Sequence, residues 1–232
     1  LTLHGSELGG DVDELRLKSN NSSDANSIVW IRAHYGTLDI RSTKVTSWDE
    51  SANGPDTDYG SNKRAFIHVR SLLEPDGTTA RESRMDIVDS DVGYLGYYAA
   101  ESYGLVWKVS GSGAGLYDKV GVYGTIENSR IHHNYFGMYT YGAEAMTWRN
   151  NEIDRNVQYG LDPHDDSDRL VIENNYLHDN GNHGIICSQR CNDLTIRGNR
   201  SNENTGNGIM LHRNTNDSLV EGNETIDNTD SG

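Results

Sequence analysis

The chain carries a short run of residue types that could move protons. Residues 162–165 read Asp-Pro-His-Asp, so His164 stands between Asp162 and Asp165, and Arg190 and Arg213 follow just beyond the next two strand-like runs. A neutral imidazole, with a pKa of about 6.5, can act as a general base, and an arginine can neutralise a carboxylate. Together these groups suit removal of a proton from a carbon next to a carboxylate, because the developing charge needs a cation to stabilise it.

The presence of Pro163 distinguishes this run from an ordinary row of solvated surface residues. Outward polar rows on strands are in most cases only solvated, and one outward histidine carries little information. A proline inside a strand is unusual, however, because it removes a hydrogen-bond donor from the ladder. An arrangement that costs stability indicates a functional site. The neighbouring residues Asp165, Asp166 and Asp168 fit a turn cluster better than a calcium site, so we expect no metal here.

The elements that position these residues are predicted by a repeat. Asparagine is frequent, and 18 of the 23 asparagines lie from Asn128 onward. Glycines recur every 23 or 24 residues, at Gly137, Gly160, Gly184, Gly208 and Gly232. An asparagine precedes each of them by nine residues, at Asn128, Asn151, Asn175, Asn199 and Asn223. Such regularity indicates a solenoid, in which stacked repeats bury a continuous core.

The local pattern within each repeat favours strands over helices. Each glycine begins a short run such as GLDPH, GIICS or GIMLH, and a second run rich in β-branched residues follows after a polar turn. Helical repeats would need longer stretches with a 3.6-residue period. We therefore predict an all-β fold, a right-handed parallel β-helix with about 23–24 residues per coil, in which stacked asparagines hydrogen-bond from coil to coil.

The repeat is regular over residues 128–232 and looser over 1–127, although we expect one domain over 1–232. Earlier strands are predicted in residues 36–48, 65–70, 84–93 and 103–109. Polar, glycine-rich insertions at 49–63, 74–83 and 110–124 are expected to project as loops that wall the binding face. The chain stops where the pattern calls for another strand, so we expect a fragment of a longer protein.

Strand alternation assigns the faces of the predicted coils. The apolar residues directly after the glycines should face the core, namely Met138, Leu161, Ile185 and Ile209. An outward row should run along the helix axis through Lys108, Tyr141, His164, Ser188 and His212. Tyr139 and Asp162 share that face two residues earlier, with Arg190 and Arg213 beyond the strand ends. A long groove of this composition suits a polymer of uronic acids.

The composition of the chain argues against some classes of binding partner and location. The 232 residues carry a net charge of −15, which disfavours nucleic-acid binding because affinity for phosphate depends on clustered Lys and Arg. No run approaches 18 uninterrupted apolar residues, so we expect no membrane span. Cys187 and Cys191 are too few for a disulfide framework. They could close a small loop disulfide in an oxidising compartment or remain two free thiols.

Three segments carry a resemblance to a known family. The runs YGLDPHDDS (159–167), HGIICSQRCND (183–193) and GIMLHRNTND (208–217) resemble the mannuronan C5-epimerases of alginate synthesis, and most closely their periplasmic bacterial type. SWDESANGP (47–55) and YGLVWKV (103–109) are also similar. The resemblance thus covers most of the chain and is densest from about residue 128 onward.

The resemblance implies a reaction and roles for individual residues. It implies conversion of β-D-mannuronate to α-L-guluronate within the polymer, with His164 as the base at C5 and Arg190 neutralising the substrate carboxylate. Asp162 and Tyr159 match positions that bind substrate or relay protons. The calcium-dependent secreted branch of the family carries an aspartate where this chain has Ser188, which argues against that branch. The acid that returns the proton stays open among water, Tyr159 and Tyr141.

The candidate substrate-binding residues extend along the predicted groove. We assign this role to Tyr141, Lys108, Tyr139, Asp165, His212 and Arg213. The expected partner is an anionic polysaccharide of the polymannuronate type, bound by a secreted or periplasmic monomer without a cofactor.

Two other functions remain open from the sequence. A polyuronate lyase would share proton removal at C5 but would then expel the C4 oxygen by β-elimination. A non-catalytic β-helix would use the same row only to grip sugar, which the DPH run and Arg190 disfavour.

Overall fold

A computed structural model of the chain describes residues 1–19, 27–60 and 63–232. Within these ranges the chain forms 24 β-strands and one 3-10 turn at Ser6–Leu8. No helix among the described residues has both the length and the apolar character needed to cross a membrane. Of the insertion expected at 49–63, residues 61–62 lie outside the described part.

The strands stack into three parallel sheets, and each turn of the chain contributes one strand to each sheet. The first sheet contains β1 Thr2–His4, β4 Thr37–Arg41, β9 Ser83–Val88, β12 Val122–Glu127, β15 Thr147–Arg149, β18 Val171–Glu173, β21 Thr195–Arg197 and β24 Leu219–Glu221. The second contains β2 Glu14–Lys18, β5 Lys44–Asp49, β10 Asp91–Gly93, β13 Arg130–His132, β16 Glu152–Asp154, β19 Tyr176–His178 and β22 Arg200–Asn202. The third contains β3 Trp30–His34, β7 Phe66–Leu73, β11 Gly104–Ser110, β14 Phe136–Tyr141, β17 Leu161–His164, β20 Ile185–Cys187 and β23 Ile209–Leu211.

This arrangement confirms the predicted parallel β-helix. Leu161 pairs in register with Met138 on one side and with Ile185 on the other. Coils in the first half are longer, since Leu38 pairs with Met85 across a much longer stretch of sequence. Two short strands, β6 Gly54–Pro55 and β8 Ala80–Arg81, pair antiparallel to β5 and β7 within the insertions.

The core has the predicted apolar row and the predicted asparagine ladders. Met138, Leu161 and Ile185 are fully buried, and Ile209 packs against the same cluster. Asparagine side chains 24 residues apart donate from Nδ2 to the next Oδ1, at 2.9–3.0 Å, through Asn151, Asn175, Asn199 and Asn223. Because each amide also bonds to the backbone, the ladders satisfy polar groups inside the coil.

Three details differ from the sequence-based expectation. The segments 36–48 and 84–93 each hold two strands, since a corner of the coil interrupts them. The insertion expected at 110–124 ends earlier, because β12 begins at Val122. Asn128 is exposed and one residue out of register, and the buried position at the end of its ladder belongs to Ser129, whose N–H donates to Asn151.

Candidate active site

The outward face of the third sheet carries two rows of side chains in register. The first, which we call the histidine row, consists of His34, Arg70, Lys108, Tyr141 and His164. The second, which we call the aspartate row, consists of Arg32, His68, Val106, Tyr139 and Asp162. Both rows together form the site face. The predicted order of Lys108, Tyr141 and His164 is confirmed by this register.

Sequence reasoning missed the basic residues that extend both rows toward the N-terminus. Arg32 and His34 lie on β3, and His68 and Arg70 lie on β7. The signal was present in the alternation of the runs WIRAH and FIHVR, in which these residues face away from the buried Ile67 and Val69.

His164 is oriented by a carboxylate that is itself held by an arginine. His164 Nδ1 lies 2.5 Å from Asp165 Oδ2, and Arg190 Nη2 donates to Asp165 Oδ1 at 2.5 Å. An ionised carboxylate only accepts, so the His164 Nδ1–H donates to Asp165. In the neutral imidazole Nε2 is then the nitrogen that can accept a proton, and the side chain of His164 is 31% exposed.

Arg190 also binds the next carboxylate. Its Nε and Nη2 donate to Asp166 at 2.9–3.2 Å, and these bonds raise its pKa above the ordinary value. Within the described residues, these contacts leave Nη1 without a carboxylate partner. The arginine therefore fixes two consecutive acidic residues and retains donors for another anion.

The turn that follows β17 is strained and braced. Asp165 and Asp166 adopt positive φ angles of 22° and 54°, which a non-glycine residue reaches only at a cost. Ser167 Oγ donates to the carbonyl of His164 at 2.6 Å and holds the turn on the strand end. The surrounding bonds thus impose a conformation that places both carboxylates under Arg190.

Pro163 interrupts the ladder beside His164. The pairing of β17 with β20 is reduced to one residue pair, Leu161 with Ile185. The carbonyl of Pro163 instead accepts the N–H of Ser188 at 2.8 Å and the thiol of Cys191 at 3.5 Å. Cys191 and Cys187 are both free and buried, and burial raises the pKa of each thiol. The disulfide left open by the sequence is therefore not formed in this structure.

Asp162 lies on the site face but is covered by its neighbours. It is only 2% exposed and accepts a hydrogen bond from Ser188 Oγ at 2.6 Å. Burial raises the pKa of Asp162 to about 8, against the opposing effect of the Ser188 hydroxyl and with a contribution from the charge of Asp165. Asp162 is therefore largely protonated at neutral pH and can donate a hydrogen bond, as a carboxylate cannot.

Two tyrosines and a lysine contact His164 directly or through one ring. The Tyr139 ring lies 5.5 Å from that of His164, and the Tyr141 ring stacks on it at 6.2 Å. Lys108 Nζ lies 5.1 Å from the Tyr141 ring, as in a cation–π contact. Burial raises the pKa of Tyr139, and the charge of Asp162 adds to this effect.

The remaining candidates lie at the margins of the site face. Tyr159 stacks on His183 at 5.5 Å, and its pKa is raised by burial and by the charge of Asp162. His212 and Arg213 follow β23, and the Arg213 carbonyl accepts the N–H of Arg190 at 2.8 Å. In the described residues, the side chains of His212 and Arg213 make no hydrogen bond or ion pair with His164, Asp165 or Arg190.

One cluster elsewhere has the residue types of a metal site. Ligand atoms of Glu152, Asp154 and His178 lie within 4.8 Å of one another on the second sheet. Arg130 already occupies this position, since its Nε and Nη2 donate to Asp154 at 2.9 and 2.8 Å. A cation would have to displace the guanidinium, so this donor set does not fit a metal ion.

Comparison with known proteins agrees with this architecture. Residues 91–232 match the family described as "Right handed beta helix region". The chain belongs to the right-handed β-helix family. It is 33% identical over 169 residues to a mannuronan C5-epimerase of Pseudomonas fluorescens, a match covering 72% of this chain and 28% of the relative. It is also 31% identical over 173 residues to mannuronan C5-epimerase AlgG of Azotobacter vinelandii, covering 74% and 29%.

A solved structure shows the same fold. The crystal structure of the periplasmic alginate epimerase AlgG superimposes with a TM-score of 0.78 and 26% identity, over 91% of this chain and 46% of that chain. The expected resemblance to mannuronan C5-epimerases is thereby confirmed. This chain spans less than a third of the length of the curated relatives and about half of the crystallised chain.

Proposed function

We propose that the site face epimerises mannuronate residues of a polymannuronate chain at C5. The observation that carries this proposal is the His164–Asp165–Arg190 arrangement, which leaves one imidazole nitrogen free as a base on an exposed row. The similarity to mannuronan C5-epimerases supports the choice of substrate.

In the proposed reaction, His164 Nε2 removes the C5 proton. Asp165 fixes the tautomer and stabilises the imidazolium that forms. The electron pair left at C5 delocalises into the substrate carboxylate, where Arg190 Nη1 donates hydrogen bonds to the developing charge. Asp162, protonated because it is buried, adds no negative charge beside this carboxylate. The Arg190 donors act where charge appears in the transition state, which is the condition for accelerating the step.

Inversion requires a proton from the opposite face of the sugar ring. Tyr141 belongs to the same row as His164, whereas Tyr159 precedes β17 and lies beyond the aspartate row. Burial keeps Tyr159 protonated. We therefore assign the acid to Tyr159 in preference to Tyr141, with water as the remaining alternative.

The basic residues of both rows supply a path for the rest of the polymer. Arg32 and His34 lie on one coil, and Arg70 and Lys108 lie on the next two coils, with adjacent coils about 4.8 Å apart. This spacing suits a chain of regularly spaced carboxylates. Tyr139, Tyr141, His212 and Arg213 complete the proposed contacts. A periplasmic or secreted location fits the solved relative, and we propose that the chain acts as a monomer.

The test is incubation of polymannuronate with the protein, with guluronate content measured by proton NMR and unsaturated products by ultraviolet absorbance. Guluronate at constant chain length and constant absorbance is expected. Rising absorbance with shortened chains would instead establish a lyase. If neither guluronate nor unsaturated products formed, catalysis on this polymer would be contradicted.

A further inference from the structure

A loop between β10 and β11, residues 94–103, lies against the site face. Gly96 N–H donates to the carbonyl of Ala65 at 2.8 Å, and the Tyr97 ring lies 6.5 Å from that of Phe66, which is two residues before His68 on β7. Tyr103, at the other end, stacks on Phe136 at 4.4 Å. Both ends of the loop are thus fixed, and its tip reaches the basic part of the site face.

The tip of this loop places one carboxylate among the basic residues. Glu101 forms a salt bridge and hydrogen bond with Lys108 Nζ. Its charge also acts on His68, Arg70 and Arg32. Burial acts to raise the pKa of Glu101, but the hydrogen bond from Lys108 and the charges of the surrounding basic residues outweigh burial and lower it. Glu101 therefore occupies the kind of environment that a uronate carboxylate would seek.

Two observations show that this closed arrangement is costly. Glu101 has a φ of 62°, in the left-handed region that non-glycine residues adopt at a cost. His68 is completely buried on the outward face, and among the described residues neither of its ring nitrogens has a hydrogen-bond partner. Unsatisfied buried polar groups are expensive, so His68 makes an unfavourable contribution to this part of the site face.

We propose that Glu101 is a displaceable latch that occupies a carboxylate subsite until a uronate residue of the polymer takes its place on Lys108. This inference rests on the proposed function, because the competing ligand is a polyuronate. The latch lowers affinity for anionic polymer by the free energy needed to break the Glu101–Lys108 pair. A rigid structural role for Glu101 would have the opposite effect, since its loss would loosen the subsite.

The experiment measures binding of oligomannuronate by calorimetry, using the His164→Ala variant as background so that the ligand is not converted. Glu101→Gln keeps the shape and removes the charge. We expect it to bind about fivefold more tightly, the factor that corresponds to roughly 1 kcal/mol for a partly exposed pair. Glu127→Gln is the matched control, since Glu127 pairs with a basic residue, Arg149, as Glu101 pairs with Lys108, and is 32% exposed against 33% for Glu101.

A second variant ties the effect to the proposed partner. In a Lys108→Met background, Glu101→Gln should give no gain in affinity, because the latch then has nothing to hold. A gain that persists without Lys108 would reflect general removal of negative charge and would overturn the latch.

The outcomes separate the latch from the proposed function. Equal or weaker binding by Glu101→Gln, with normal binding by the background protein, would overturn the latch and leave the epimerase proposal intact. Absence of binding in both proteins would contradict the polyuronate substrate and, with it, the latch. Binding only after Glu101→Gln would support the latch in its strongest form.

Discussion

The direction of the His164 imidazole depends on two successive contacts. Asp165 accepts from Nδ1, and Arg190 holds both Asp165 and Asp166. Sequence and resemblance singled out these residues. They did not reveal that most of the Arg190 N–H donors bind Asp165 and Asp166. These hydrogen bonds depend on the directions of side chains in a turn with positive φ angles, which the sequence does not show.

Arg190→Lys tests this positioning. A lysine keeps the charge but cannot form the fork that binds two carboxylates. We expect kcat for epimerisation to fall by about 10²-fold or more, because the base is no longer fixed. Arg169→Lys is a matched control, since Arg169 binds Glu144 with two bonds at 2.5 and 2.6 Å outside the site face. Equal losses in both variants would refute a specific role for Arg190.

Asp162 should make stability depend on pH in an unusual direction. Its pKa is about 8 in the folded protein and about 4 in the unfolded chain. Between these two pH values the folded protein therefore binds a proton that the unfolded chain has released. Stability therefore falls as pH rises through this window, by up to about 1.4 kcal/mol per unit. Asp162→Asn removes the penalty, and its urea midpoint should exceed that of the parent at about pH 7.5 but not at about pH 4.

Asp154 provides a control of opposite sign. Burial acts to raise the pKa of Asp154, but the hydrogen bonds from Arg130 and the charges of Arg130, His132 and His178 together outweigh burial and lower it. Its ionised form stabilises the fold above the unfolded pKa, and this stabilisation is lost as pH falls. Asp154→Asn should therefore be destabilised at about pH 7.5. A lower midpoint for Asp162→Asn at that pH would contradict its protonated state.

At the scale of the element, each coil is held by its asparagine corner. Asn175 is 1% exposed, donates to Asn199 and to the carbonyl of Trp148, and accepts from Asn151. Asn175→Ala leaves several buried groups without partners, so we expect the free energy of unfolding to fall by about 3 kcal/mol. Asn216→Ala, at an exposed corner, should change it by less than about 0.5 kcal/mol. Similar urea midpoints for both variants would contradict the ladder account.

The repeat made the regular coils of residues 128–232 predictable. Where the repeat is irregular, the sequence predicted the structure less completely. Alternation placed Leu161 inside and His164 outside correctly, because one coil after another has the same length. Counting from glycines failed at Asn128, where the coil is shorter than its successors. The loop at 94–103 was not anticipated, since no repeat fixes its course and Glu101 meets Lys108 only after the coils stack.

At the scale of the whole molecule, charge distinguishes the three faces. On the first sheet, arginines and glutamates alternate from coil to coil, so that Glu127, Arg149, Glu173, Arg197 and Glu221 form one ladder of ion pairs. The basic residues of the site face have no such alternation along their rows. A chain with a net charge of −15 thus presents one local surface suited to an anionic polymer.

The unbalanced surface predicts where polymer affinity resides. The double variant Arg32→Gln, Arg70→Gln should bind polymannuronate about tenfold more weakly, and the loss should shrink at high salt. Arg197→Gln with Arg200→Gln removes the same charge from ion pairs on the other two sheets. Binding isotherms for polymannuronate at two ionic strengths measure this difference. Equal losses of affinity in the two double variants would show that only the net charge of the protein matters.

Removal of the C5 proton by His164 is tested most directly by following the hydrogen at C5. Polymannuronate is incubated in D2O with the parent protein and with His164→Ala, and the new guluronate residues are examined by NMR. Proton removal by His164 and reprotonation from the other face predict deuterium at C5 of every guluronate formed by the parent. His164→Ala should give no conversion, at a thermal midpoint within a few degrees of the parent. Guluronate that retains its original C5 hydrogen, or undiminished conversion by a folded His164→Ala protein, would contradict proton removal by His164.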